Sequence, residues 1–288
     1  MSCYTRISHA FDEAKRLPLT EKTNYILFSD CHRGCGNAND NFLKNEQIYL
    51  AALRYYFDRG FVYLELGDGD ELWENRSMEC IREMHGHSFE LLDKFHRSGR
   101  LYCLYGNHDL VKKCRNFRQK YFPGYTFYPA VILKDMEKEK DIYLIHGHQA
   151  DLLNSTLWRL SRFLVRYVWR VLEALGIPDP TSAAKNHIKK KTSEKILADW
   201  ARINGHILIS GHTHHPMAGS ESSPYFNTGS CVHPSGITGI EISDRCMTLV
   251  KWSVTTGEDM ALCVTREVLG EKICIDDYGC SQIMEKMV

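Results

Sequence analysis

Residues 26–36 read ILFSDCHRGCG, an apolar run that ends in Ser-Asp-Cys-His and then turns through glycines. Aspartate and glycine are common in turns, so the stretch alone fits an ordinary connection. In a strand, however, residues two positions apart point to the same side. Asp30 and His32 therefore leave the strand together. The pair predicts a metal site at the strand end, provided that other segments supply further ligands.

Four further segments repeat this pattern. Short β-rich runs end in polar residues at NYILFSD (24–30), FVYLELGD (61–68), LYCLYGN (101–107), DIYLIHG (141–147) and HILISG (206–211). Helical patterns lie at about 41–59, 78–98, 151–174 and 182–203. Strands that alternate with helices predict an α/β layered fold. After residue 220, short strands with turns follow (PYFNTG, GITGIEI and CMTLVKW). They predict a second sheet packed on the first, in a four-layer α/β/β/α sandwich.

Composition and length predict one globular domain over residues 1–288. Hydrophobic residues make up 43% of the chain and charged residues 25%, which are ordinary values for a globular protein. The chain contains no internal repeat and no low-complexity linker. Lys and Arg number 36, as do Asp and Glu, so the formal net charge is zero. This balance disfavours nucleic acid as the principal partner.

The sequence favours a cytoplasmic protein with reduced thiols. Its first residues lack the apolar core of a signal peptide, and no run approaches the ~20 apolar residues of a membrane span. The 11 cysteines include no C-x-x-C pair of the zinc-binding type. Without a secretion signal, these cysteines are expected to be free thiols, many of them in the core.

The five strand ends collect candidate metal ligands. In an open α/β sheet, ligands bind beyond the carboxyl ends of the strands, so these side chains should converge on one crevice. Carboxylates, imidazoles and one amide suit Mn, Fe or Zn better than Ca. Their number exceeds what one ion needs and predicts two ions about 3.5–4 Å apart, as in sites that hydrolyse phosphoesters. The candidates are Asp30, His32, Asp68, Asn107, His108, His146, His212 and His214.

In this order, the motifs D-x-H, GD, GNHD, H and G-H-x-H resemble the calcineurin-like metallophosphoesterases over residues from about 24 to about 240. The resemblance implies that one ion is held by Asp30, His32, Asp68 and His214. The other is implied to be held by Asp68 as a bridge, Asn107, His146 and His212. The implied cofactors are two divalent ions, with Mn²⁺ favoured and Fe or Zn as alternatives.

The resemblance also implies a mechanism. A hydroxide that bridges the two ions attacks phosphorus in line with the leaving group. His108 stabilises the phosphate or protonates the leaving oxygen, and Asp109 orients His108 or its loop. No covalent intermediate with the enzyme is needed.

The stretch GDGDELW (67–73) is similar to the GD-x-x-(D/E)-x-W pattern of a branch that includes UDP-2,3-diacylglucosamine pyrophosphatase. Glu71 fills the acidic position and Trp73 the aromatic one. That branch carries inserted helices, and the Arg-rich segment at about 151–203 predicts a helical cap here. The chain departs from the branch at His108, where Arg is typical. The resemblance implies a phosphodiester or pyrophosphate substrate, either a nucleotide-sugar or a lipid-linked molecule.

Several residues are candidates for contact with a phosphorylated small-molecule or lipid-linked substrate. Trp73 could stack on a base or sugar, or it could be buried beside the GD turn. His233 follows the N-T-G-S turn, where it could reach a phosphate. The full set of substrate-binding candidates is Asn107, His108, His233, Trp73 and Arg76.

The sequence leaves several alternatives open. The segment at about 151–203 is either a cap that contacts the membrane surface peripherally or a plain lid. The enzyme could instead be a soluble nucleotide phosphodiesterase or a nuclease, although zero net charge weakens the nuclease reading. A non-catalytic scaffold of the same fold is disfavoured, because every ligand and His108 are present. The sequence predicts no particular oligomeric state.

Overall fold

Two β-sheets form the centre of the structure, a computed structural model. It describes residues 2–278 except 38, 152–154, 156–157, 166, 168–186, 221 and 258–259, and it describes only the backbone of 158–160 and 187–189. Its helices are α1 (Cys3–Asp12), α2 (Glu46–Asp58), α3 (Met78–Met84), α4 (Gly86–Arg97), α5 (Arg115–Tyr121), α6 (Trp158–Leu164) and α7 (His187–Asn204). None of the helices in these ranges is long and apolar enough to cross a membrane.

The larger sheet has eight strands. They are β2 (Tyr25–Phe28), β3 (Val62–Leu66), β4 (Leu101–Leu104), β5 (Phe127–Tyr128), β10 (Ile237–Ser243), β11 (Cys246–Thr256), β12 (Leu262–Val268) and β13 (Ile273–Cys274). The order is β12-β11-β10-β2-β3-β4-β5, with β13 paired to β11. Strands β2 to β5 are parallel, whereas β10 runs antiparallel to β2. The carboxyl ends of β2, β3 and β4 therefore lie at one edge.

The smaller sheet has five strands in the order β1-β6-β7-β8-β9. They are β1 (Lys15–Leu19), β6 (Ala130–Asp135), β7 (Ile142–Ile145), β8 (Ile207–Ser210) and β9 (Tyr225–Asn227). Strands β7, β8 and β9 are parallel. Pro18 lies in β1 at the sheet edge, where its missing N–H removes no hydrogen bond from the interior of the sheet.

Three hydrophobic clusters define four layers. In β2, Tyr25 and Leu27 belong to the cluster between the two sheets, whereas Ile26 and Phe28 belong to the cluster under α2 and α4. This alternation is the period-two pattern of a strand that is buried on both faces. A third cluster joins α1 and α7 to the outer face of the smaller sheet. The layers are therefore helices, sheet, sheet and helices, which confirms the predicted α/β/β/α sandwich.

The five predicted strands are confirmed, but the predicted division into sheets is wrong. The runs at 141–147 and 206–211 join the smaller sheet, whereas the strands after residue 236 extend the larger sheet. The reason is non-local pairing: β10 pairs with β2 across more than 200 residues, and local patterns carry no signal for that choice. Within the predicted cap at about 151–203, residues 152–154, 156–157, 166 and 168–186 lie outside the described residues. The described helix α7 packs on the outer face of the smaller sheet through Leu197, Trp200 and Ala201.

The expectation of free thiols is wrong for two cysteines. Cys246 and Cys274 lie opposite each other in the antiparallel pair of β11 and β13 and form a disulfide. The bond attaches the last described strand to the larger sheet. The other described cysteines are free thiols.

Candidate metal centre

The predicted ligands lie in turns that directly follow strands. Asp30, Asp68 and Asn107 follow β2, β3 and β4 of the larger sheet. His146 and His212 follow β7 and β8 of the smaller sheet. The centre therefore lies where the carboxyl ends of both sheets meet, and each sheet supplies part of the ligand set.

Five of the predicted ligands have left-handed backbone conformations. Their φ angles are 54° at Asp30, 48° at His32, 51° at Asp68, 69° at His212 and 54° at His214. They account for five of the nine non-glycine residues with positive φ in the described part of the chain. Such conformations cost on the order of 1–3 kcal/mol each and cluster at functional sites. Contacts between turns hold them, including Asp30 N–H to Gly67 O at 3.1 Å and His32 N–H to Asp68 O at 2.9 Å.

The first group of donor atoms contains Asp30, His32 and His214, whose candidate ligand atoms lie within 4.8 Å of one another. Asp30 Oδ1 is 3.2 Å from His214 Nε2 and 3.7 Å from His32 Nε2. The two imidazole Nε2 atoms are 3.2 Å apart. One carboxylate oxygen and two ring nitrogens thus point at the same small volume.

The second group contains Asp68, His146 and His212. His146 Nδ1 donates to the Leu66 carbonyl at 2.7 Å, which leaves Nε2 directed at the site, 3.2 Å from Asp68 Oδ2. The same Asp68 oxygen is 3.8 Å from His32 Nε2 of the first group. Asp68 therefore lies between the two groups, the position that a bridging ligand requires.

Unsatisfied buried atoms indicate that these groups fit metal ions. Buried polar atoms in proteins almost always have a hydrogen-bond partner. Among the described residues, four candidate ligand atoms are buried without one, namely Asp30 Oδ1, Asn107 Oδ1, His146 Nε2 and His212 Nε2. His146 Nε2 is close to Asp68, but the geometry is not that of a hydrogen bond. Oxygen and imidazole donors of this kind are suited to first-row divalent ions.

The electrostatics of the site favour ionised carboxylates. Burial alone would raise the pKa of Asp30, but His214 and His146 hold it well below its usual range. Burial likewise opposes ionisation of Asp68, yet His146 and His108 lower its pKa. Burial lowers the pKa of His212 to about 3, so this imidazole is neutral and able to act as a ligand.

His108 is partly exposed and packs on the buried side chains of Glu71 and Trp73. Its Nδ1 is 2.7 Å from Glu71 Oε2, and the Trp73 ring stacks on the imidazole at a centroid distance of 4.2 Å. Glu71 Oε2 is also 2.8 Å from His32 Nδ1. Burial would lower the pKa of His108, but Glu71 and Asp68 raise it. Glu71 was not among the predicted site residues, although it fills the acidic position of the GD-x-x-(D/E)-x-W pattern.

The contacts bear on the alternatives that the sequence left open for Asp109 and Trp73. Asp109 accepts hydrogen bonds from Gly106 N–H at 2.7 Å and Gly69 N–H at 3.1 Å, so it supports the loop, while Glu71 contacts the His108 ring. Trp73 is only 3% exposed. A substrate contact by Trp73 is therefore disfavoured, because the indole lies under His108 instead of facing a base or sugar.

Of the remaining substrate-binding candidates, His233 lies near the ligand His214, whereas Arg76 contacts the predicted cap. His233 Nε2 is buried without a hydrogen-bond partner in the described part of the chain, and both burial and His214 lower the pKa of His233. Arg76 is exposed and donates to Tyr167 Oη at 2.7 Å. This contact joins the turn after β3 to a described residue of the predicted cap.

The model of the calcineurin-like phosphoesterase family matches residues 23–216. No curated protein matches the chain in sequence. A conserved uncharacterised protein of Streptococcus pneumoniae TIGR4, described as a predicted phosphoesterase, is 15% identical with a TM-score of 0.35, over 86% of this chain and 98% of that one. Vps29 of Chaetomium thermophilum is 10% identical with a TM-score of 0.42, over 89% and 99%.

Proposed function

Because the chain belongs to the calcineurin-like phosphoesterase family, we propose that it is a metal-dependent hydrolase that cleaves a phosphodiester or pyrophosphate bond with two divalent ions. The observation that carries this proposal is the pair of donor groups that meet at Asp68. One carboxylate between two sets of ring nitrogens suits two ions that share a ligand. A single ion would leave buried imidazole nitrogens of one set unsatisfied.

In this proposal, each ion would have its own ligands and both would share Asp68. The first would be held by Asp30, His32 and His214, and the second by Asn107, His146 and His212. Mn²⁺ is the proposed metal, and the donor set would also accept Fe or Zn. Bound there, the ions would supply a hydroxide nucleophile near neutral pH and charge stabilisation for the phosphoryl oxygens.

His108 is the proposed proton donor to the leaving oxygen. Because Glu71 occupies Nδ1, Nε2 is the ring atom that remains for the substrate. Glu71 holds the ring from one side and Trp73 packs on its face, so the imidazole is oriented before substrate arrives. Asn107 and His233 are the proposed contacts to the phosphate, and Arg76 to a more distant part of the substrate.

The substrate we propose is a nucleotide-sugar or a lipid-linked phosphate ester. The pattern GDGDELW supports this branch of the family, while His108 in place of the typical Arg argues against assigning the exact UDP-diacylglucosamine reaction. The competing proposal is a soluble nucleotide phosphodiesterase or nuclease.

We further propose that residues 1–288 act as one domain, with the segment at about 151–203 as a cap. Glu194 of α7 supports this, because its Oε1 is 2.8 Å from Thr213 Oγ1 and 3.1 Å from His215 Nδ1, beside two proposed ligands. A cytoplasmic enzyme with peripheral membrane contact through this cap would suit a lipid-linked substrate.

The proposal is tested by hydrolysis of a substrate panel with Mn²⁺. The panel contains bis-p-nitrophenyl phosphate, p-nitrophenyl phosphate, a UDP-sugar, a UDP-diacyl-sugar and a cyclic nucleotide, each with a chelator control. We expect chelator-sensitive turnover of diesters or pyrophosphates above that of the monoester.

The pattern of turnover separates the alternatives. Preference for the acylated substrate would support a cap that receives lipid. Turnover of the soluble diesters alone would support the nucleotide phosphodiesterase and a plain lid. A folded protein that binds two ions but hydrolyses no substrate in the panel would favour the non-catalytic scaffold.

A further inference from the structure

A cluster of five charged side chains lies buried beneath the candidate metal centre. Each member is at most 1% exposed, and the members come from the turns after β2, β3 and β4 and from β3 itself. They are Arg33, Glu65, Asp70, Asp109 and Lys112. Buried charges are costly unless they are paired and hydrogen-bonded, so the pairing pattern shows what this cluster holds together.

Lys112 pairs with two carboxylates from different turns. Its Nζ is 2.6 Å from Asp109 Oδ2 and 2.7 Å from Asp70 Oδ2. The ammonium also lies over the rings of Phe122 and Phe127, at 5.3 Å and 5.0 Å from their centroids. Lys112 is therefore a fixed ion pair in an aromatic pocket, in contrast to its exposed neighbour Lys113.

Through Asp109, this ammonium holds the turn after β4 against the turn after β3. Asp109 accepts from Gly106 N–H of its own turn and from Gly69 N–H of the other. The two turns touch so closely that a Cβ at Gly106 would lie 2.0 Å from Asp68 Oδ1. That same oxygen accepts the His108 N–H at 2.8 Å. The position of Asn107 relative to Asp68 thus depends on this junction.

The turn after β2 is held in a different way. Arg33 donates to Asp70 Oδ1 at 2.7 Å and to both Glu65 oxygens at 2.9 Å and 3.0 Å. Its backbone N–H donates to Gly69 O at 3.1 Å. Asp70 is shared with Lys112, which contacts its other oxygen, whereas the bonds to Glu65 and to Gly69 O do not involve Lys112. Through these last bonds the Asp30–His32 turn has an attachment that Lys112 does not supply.

We propose that Lys112 is a positioning residue for one of the two ions. Lys112 holds Asn107 in the position from which its side chain can bind the second ion. The other proposed ligands of that ion are Asp68, His146 and His212. The first ion, bound by Asp30, His32, Asp68 and His214, does not depend on Lys112. This inference rests on the two-ion centre of the proposed function.

The test is a metal titration of the full chain with Lys112→Met, which removes the ammonium and retains most of the side-chain volume. The matched control is Lys113→Met. Binding of Mn²⁺ is followed by isothermal titration, and the metal content after dialysis against buffered free Mn²⁺ is measured by elemental analysis. We expect the affinity for one ion to fall about 10–100-fold, the usual effect of removing an outer support of a ligand, while the other ion is retained. Lys113→Met should bind both ions as the wild type does.

A second variant tests the same inference if Lys112→Met does not fold. Lys112→Met leaves Asp109 without a cation and leaves Asp70 with Arg33 alone, so Lys112→Met/Asp70→Asn removes one negative charge together with the positive one. The double variant should show the same selective loss, because Asp109 still lacks its partner, while Arg33 keeps both Glu65 oxygens and can still donate to the amide oxygen at position 70.

The outcomes separate the inference from the proposed function. Two ions held by Lys112→Met as tightly as by the wild type would overturn the role of Lys112 and leave the proposed function intact. Equal weakening of both ions in a folded variant, or the same loss in Lys113→Met, would also overturn it. A wild-type chain that binds fewer than two ions would contradict the two-ion proposal itself.

Discussion

Glu71 is a single carboxylate that contacts two histidines with different proposed tasks. It lies 2.8 Å from Nδ1 of His32, a proposed ligand, and 2.7 Å from Nδ1 of His108, the proposed proton donor. The backbone N–H groups of Trp73 and Glu74 also donate to its Oε1. One residue thereby fixes the direction of both rings.

At Asp68, we expect substitution by alanine to remove both ions and the activity. Asp68 Oδ2 lies near ring nitrogens of both donor groups, so its loss weakens both. Metal content by elemental analysis and turnover of bis-p-nitrophenyl phosphate measure the effect. Retention of two ions by Asp68→Ala would exclude the bridging role.

At His108, substitution by alanine should leave both ions bound and lower turnover about 10²–10⁴-fold, the usual contribution of a general acid. Glu71→Gln should also lower turnover, because the ring loses its anionic partner. In the double variant, the part of the Glu71 effect that acts through His108 should disappear, and only the part that acts through His32 should remain. Glu74→Gln is the matched control. Additive losses in the double variant would show that the two residues act independently.

His85 joins several elements in one buried contact. It precedes α4, and its Nε2 is 2.9 Å from Asp40 Oδ2, while Nδ1 is 3.1 Å from Glu46 Oε1 of α2. Burial lowers the pKa of His85, but Asp40 and Glu46 outweigh it and raise the pKa to about 9. Asp40 also accepts from Gly36 N–H at 2.9 Å. A charged His85 therefore ties α2 and α4 to the loop that follows the first ligand turn.

This contact predicts a pH dependence of stability. Because the folded pKa is about 9 and the unfolded value about 6.5, the stabilisation is complete below pH 6.5 and is lost as pH rises through 9. The difference between the folded and unfolded pKa values of His85 corresponds to about 3 kcal/mol of unfolding free energy at most. Urea unfolding of the wild type and of His85→Gln between pH 6 and pH 9.5 measures it. As pH rises, the free energy of unfolding should fall more steeply for the wild type than for His85→Gln. The same pH dependence in both proteins would contradict the prediction.

The helices and strands also show which parts of the fold local sequence patterns can predict. The strands that carry ligands were predictable, because each is a short apolar run that ends in polar residues. Helix α1 and strand β1 were not, and β1 is held by parallel pairing with β6, more than 100 residues away. Non-local pairing of this kind has no local signal.

On the scale of the whole molecule, the centre exists only because the two sheets pack together. The larger sheet supplies Asp30, Asp68 and Asn107, and the smaller supplies His146 and His212. Residues of both sheets, such as Leu27 and Leu144, belong to the cluster between them. Packing of this core therefore brings the two half-sites together.

Metal removal should lower the stability of the whole chain. An ion that binds only the folded state stabilises it by about 2.7 kcal/mol at a free concentration of 100 times Kd. A chelator should therefore lower the thermal midpoint of the wild type, and Mn²⁺ should restore it. Asp68→Ala is the control, because its thermal midpoint should change with neither the chelator nor Mn²⁺. A wild-type midpoint that is independent of Mn²⁺ and chelator would argue against ions in this centre.

The sequence by itself determined the strand–turn units and the types of ligand that follow them, because alternating burial and turn chemistry are local. It also indicated the family, since five short motifs occur in a fixed order. Only the tertiary structure decided that Glu71, not Asp109, contacts His108, that Trp73 is buried under this ring, and that β7 and β8 belong to the other sheet. These facts depend on contacts between residues far apart in the chain, and packing of the two sheets is what brings those residues together.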